Sequence, residues 1–94
     1  VDYNVHLIFL IMTEFEFHQR IPSQKDNYFI RLTENNIVCL YNYFIEDDEA
    51  YTQFVRFYPT TYEKAIDIIH HLMEIIDDEE KLRQYTGEWE VKLH

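Results

Sequence analysis

The chain has 94 residues, 47% of them hydrophobic and 17% aromatic, with 18 Asp and Glu against 8 Lys and Arg and a formal net charge of -10. This length allows one domain, residues 1–94, whose core needs no metal or disulfide staple. The acidity disfavours direct binding to nucleic-acid phosphate or an anionic membrane, since both need clustered bases. It favours a basic protein partner, with plain solubility as the alternative explanation.

The chain opens with an alternating segment. From Tyr3 to Phe17 the odd positions are mostly apolar and the even ones are apolar only at Ile8, Leu10 and Met12. Period two predicts a long first strand, bent or bulged near Thr13, with a short helix over the first ten residues as the competing reading. The apolar run from Val5 to Met12 falls well short of the ~20 residues that span a bilayer. It also lacks the basic flank and small-residue cleavage site of a signal peptide. Gln19 to Asp26, around Ile21-Pro22-Ser23, reads as a loop.

Tyr28 to Leu32 is the second predicted strand, and Thr33-Glu34-Asn35-Asn36 is a turn, because Asn tolerates the left-handed backbone. Ile37 to Ile45 is a third strand, rich in β-branched and aromatic residues. The acidic connection Glu46-Asp47-Asp48-Glu49 leads to a fourth strand, Tyr51 to Tyr58. The short connections make these three an antiparallel meander.

Pro59 stops the fourth strand, and Thr60 with Glu63 matches a capping box. From there Ala65, Ile66, Ile68, Ile69, Leu72, Met73, Ile75 and Ile76 fill one half of a helical circumference. Glu63, Asp67, His70, His71, Glu74, Asp77 and Asp78 fill the other. So wide an apolar face lies flat on a sheet. Asp77 to Glu80 would oppose the helix macrodipole if the helix ended there, so the pattern predicts one helix running on to Tyr85, with Gly87 as its stop. Trp89, Val91 and Leu93 then alternate as a last, edge strand. The fold class is therefore α+β, an antiparallel sheet of four to five strands with one long amphipathic helix on one face, in the order β-β-β-β-α-β.

Chemistry-bearing patterns are sparse. One glycine excludes the P-loop, dinucleotide-binding and nucleophile-elbow motifs. Cys39 is alone, which removes any internal disulfide and points to a reducing, cytoplasmic setting; within Ile37-Val38-Cys39-Leu40 it reads as a buried, inert thiol. Asp67, His70, Glu74 and Asp78 share a helical stripe, but Zn sites on helices pair His at i and i+4, whereas His70 and His71 are adjacent. A solvated face is the better reading. No cofactor and no catalytic group are expected.

The aromatic surplus and the two acidic clusters remain. Tyr41, Tyr43, Phe44, Tyr51, Phe54, Phe57 and Tyr58 crowd strands whose second face one helix cannot cover, and Tyr is enriched at protein interfaces. The expectation is a non-catalytic protein-binding or inhibitory domain that occupies a basic surface of its partner, of the phage-inhibitor, immunity-protein or antitoxin type. The residues expected to meet the partner are Glu46, Asp47, Asp48, Glu49, Tyr41, Tyr43, Tyr51, Asp77, Asp78, Glu79 and Glu80. The alternative is a structural protein that forms a homodimer or larger oligomer through its aromatic-rich sheet.

Overall fold

A computed structural model describes residues 17–22 and 27–94. The expectations placed on Tyr3 to Glu16, including the bend near Thr13 and the competing short helix, lie outside the described residues. Among the described residues five strands form one antiparallel sheet in the order β1-β2-β3-β4-β5: β1 Phe17–Pro22, β2 Asn27–Leu32, β3 Val38–Glu46, β4 Glu49–Phe57 and β5 Glu90–Leu93. Between β4 and β5 lie two helices, α1 Tyr62–Ile75 and α2 Glu79–Thr86.

The meander of β2, β3 and β4 follows the alternation in the sequence. Its first turn has Asn36 at φ 65, and the Thr33 hydroxyl accepts a hydrogen bond from the Ile37 amide at 3.2 Å. Gln19 to Pro22, expected as loop, is strand instead and pairs with Asn27 to Ile30. Proline is tolerated there because Pro22 is the last residue of a strand that ends the described sheet.

One face of the sheet carries the core. Ile21, Ile30, Leu32, Val38 and Leu40 pack with Ala65, Ile69, Leu72, Ile75 and Ile76 of the first helical segment and Leu82 of α2. Ile30, Val38, Leu40, Ile69 and Leu72 are fully buried. The apolar half of α1 therefore lies on the sheet as its periodicity requires, and Glu63, Asp67, His71 and Glu74 face water.

Two details of the helical region correct the sequence reading. The N-cap is Thr61, whose hydroxyl accepts from the Lys64 amide at 3.2 Å; Thr60 does not fill this role. The expected single helix to Tyr85 is broken after Ile75. Asp78 takes an extended conformation and caps a new helix, accepting from the Lys81 amide at 3.1 Å. A straight helix from Tyr62 to Tyr85 would be about 36 Å long, overshooting strands of about 30 Å. The break turns Leu82 back into the core. Gly87 ends α2 with φ 72, as expected of a stop, its amide bonded to the Arg83 carbonyl at 2.9 Å.

Candidate functional site

The β3–β4 hairpin ends in the acidic cluster. Pairing continues up to Glu46 opposite Glu49, which leaves Asp47 and Asp48 as a two-residue turn. Their φ values of 53 and 63 mark the type I′ geometry that matches strand twist. Asn-Gly is the low-energy choice for such a turn, because a side chain at positive φ crowds the backbone by about 1 kcal/mol. Glu46 and Glu49 add a like-charged pair directly across the strands, unfavourable by roughly 0.2–1 kcal/mol. All four carboxylates are exposed, and among the described residues no base pairs with them. Ile45 beside them is 78% exposed and Tyr43 is 61% exposed. Backbone conformation and cross-strand pairing both run against stability here.

The three candidate tyrosines do not form one patch. Alternation puts Tyr41 and Tyr43 on the face away from the helices, where Tyr41 stacks on Phe29 at 5.5 Å and meets Tyr43 edge-on at 5.7 Å. Tyr41 is buried in this cluster, and burial, with Tyr43 and Cys39 beside it, pushes its phenol up to about 12. Tyr51 is on the helix side, stacked on Phe44 at 5.1 Å, and its hydroxyl donates to Glu49 at 3.0 Å. That hydrogen bond is the main reason its phenol is held above the ordinary range, with burial and the nearby Glu46 charge adding to it. Tyr51 thus orients one arm of the acidic tip.

Asp77 to Glu80 forms the joint between the helices. Asp78 caps α2, Glu79 and Glu80 occupy its first turn, and Glu79 pairs with Arg83 at 3.2 Å. Acids in a first turn are favourable against the macrodipole. The cluster that looked misplaced at the end of one helix suits the start of another.

Cys39 is half-buried on the helix-free face, not within the core beside Val38 and Leu40. Desolvation raises its thiol above the ordinary value against the opposing pull of Arg56 and Arg31, so it is protonated at neutral pH and a poor nucleophile. On the α1 stripe, Asp78 is engaged as a cap, and among the described residues no three His, Cys, Asp or Glu are grouped to hold a metal ion. No described helix is long and apolar enough to cross a membrane.

Sequence reasoning missed Ile45 and the opposed Glu46–Glu49 pair. The spacing of a two-residue turn between two strand patterns was the available signal for both. No protein-family model, curated protein or solved structure matches the chain.

Proposed function

We propose that the domain is a non-catalytic protein-binding module, inhibitory in type, whose β3–β4 hairpin tip docks on a basic surface of a partner protein. The observation that supports this reading is the tip's composition. Glu46, Asp47, Asp48 and Glu49 place four exposed carboxylates where turn geometry favours Asn-Gly and cross-strand pairing favours opposite charges. Local choices that work against folding concentrate at functional sites. Exposed Ile45 and Tyr43 flank the charge with apolar contact area of the kind that anchors interfaces. The charge steers encounter with a positive surface, and the anchors hold the complex. A reducing compartment such as the cytoplasm suits the lone protonated thiol of Cys39.

The test compares the wild-type domain with a tip variant, Glu46→Gln, Asp47→Asn, Asp48→Gly, Glu49→Gln, as baits in native lysate. The expected result is a basic protein retained by the wild type, released at raised salt and absent from the variant. Identical captured sets from both baits would end the proposal.

A second reading, assembly through the sheet, draws on β5. It is the last described strand of the sheet, with Val91 59% and Leu93 53% exposed. Light scattering at millimolar concentration decides it, and a monomer removes this reading.

A further inference from the structure

The helix-free face holds a charge pattern opposite to that of the whole chain. Register aligns its side chains in three cross-strand rows. Across β2 to β5, Arg31, Cys39 and Arg56 form the first; Phe29, Tyr41, Phe54 and Glu90 the second, which Arg20 of β1 continues beyond Phe29; and Tyr43, Thr52 and Lys92 the third. Successive rows are about 7 Å apart along the strands, so an aromatic band lies between cations on two sides. A depression of about 240 Å³ sits among them, bordered by Arg31, Arg56, Lys92, Tyr43, Phe54 and His94, with no Asp or Glu in its wall. Glu90 is the one carboxylate that register places on this face among the described strands, and it stands outside the depression.

Lys81 and Arg83 are each in an ion pair with a carboxylate. Among the described residues neither Arg56 nor Lys92 is in an ion pair. The Arg56 guanidinium lies 4.5 Å from the Phe54 ring centre, which holds it over the aromatic band. At the other border Tyr43 is 61% exposed, and its ring centre is 6.0 Å from that of His94. His94 in turn is hydrogen-bonded to Thr52.

We infer that this depression binds a nucleoside phosphate, its base stacked on Tyr43 and its phosphate held by Arg56 and Lys92. The chemistry divides between the two halves of such a ligand. A guanidinium and an ammonium unclaimed by carboxylates suit a compact dianion, and the guanidinium offers it paired donors. An exposed phenol ring among other aromatics suits a planar heterocycle, because every base offers a π-face that stacks on it. The remaining acidity selects the size of the ligand. At physiological salt the screening length is about 8 Å, so a single phosphate experiences mainly the local cations. A long strand would cross the acidic surface beyond them, and its many phosphates would meet repulsion. A free mononucleotide is therefore favoured over a polynucleotide.

Amide and side-chain NMR titration of the full chain with AMP tests this, with adenosine, inorganic phosphate and a ten-nucleotide single strand in parallel. Expected are saturable shifts confined to Tyr43, Thr52, Phe54, Arg56 and Lys92, with adenosine and phosphate each binding at least fivefold more weakly than AMP. The single strand should bind no more tightly than AMP. Arg56→Gln and Lys92→Gln should each weaken AMP at least fivefold, Tyr43→Ala should do the same, and Lys64→Gln, outside the depression, should leave it unchanged. Each variant's spectrum reports its own folding, and a fully folded Arg56→Gln that binds AMP normally would overturn the assignment. So would shifts scattered over the surface, equal affinity for adenosine and AMP, tighter binding of the strand, or no saturable shift with AMP.

Discussion

Redesigning the hairpin tip for stability should make the domain more stable and a worse binder. The perturbation is Glu46→Lys with Asp47→Asn and Asp48→Gly. Asp48 sits at φ 63, where glycine relieves about 1 kcal/mol of backbone crowding and gives back roughly half of that in unfolded-state entropy. Asn for Asp47 is conformationally near neutral. Lysine at position 46 turns the Glu46–Glu49 opposition into an attraction, a change of about 0.5–1 kcal/mol for an exposed cross-strand pair. The sum is about 1 kcal/mol. For a domain of this size that raises Tm by roughly 4–8 °C. Circular dichroism melts in 20 mM and 500 mM salt measure both parts. The pair contribution should shrink as salt screens it, and the turn contribution should persist. A variant that melts at or below the wild-type temperature would refute the claim that the tip's acids are held against the preference of the fold.

Three further outcomes follow from the same structure. Asp78→Ala removes the cap of α2 and should cost about 1 kcal/mol in urea unfolding, whereas Asp77→Ala should have a smaller effect. Asn42 is 3% exposed on the core side of β3, and its side-chain oxygen has no hydrogen-bond partner among the described residues; Asn42→Leu should stabilise by about 1 kcal/mol, and destabilisation would show that the amide is well accommodated. The Tyr41 phenol, pushed up to about 12 from 10, keeps its proton to higher pH in the folded state than in the unfolded chain. Its contribution to stability is therefore complete below pH 10 and is lost as pH rises from 10 toward 12; phenolate absorbance in wild type and Tyr41→Phe should show one late-titrating tyrosine missing from the variant.

The parts of this fold that were legible in the sequence are those where one local signal dominates. The apolar stripe from Ala65 to Ile76 fixed both the helix and the face it buries, because eight apolar positions obey one period. The alternation of β3 and β4 likewise fixed the meander. The break after Ile75 was harder to read. Leu82 is seven residues beyond Ile75 and so returns to the same helical face, which lets the periodicity run unbroken across the joint. The signal that marked it was Asp78 followed by Glu79 and Glu80, a start pattern. Gln19 to Pro22 looked like loop because polar residues and a proline outweigh strand propensity when pairing is not visible. In the site, the acidic tip could be located from four adjacent letters. The row Arg31, Cys39, Arg56 could not, because it joins residues from three strands and exists only once register is fixed. Tyr41, Tyr43 and Tyr51 were grouped by proximity in sequence, and the strand pleat separates them onto two faces.

The most direct test of the proposed role is the salt dependence of association between the domain and the basic partner it captures. Association rates measured on immobilised partner between 20 mM and 500 mM salt should fall about tenfold or more for the wild type, as electrostatic steering requires. The tip-neutralised variant should associate slowly with little dependence on salt. Equal rates and equal salt slopes for the two proteins would contradict the account, because the Glu46 to Glu49 tip would then have no part in binding.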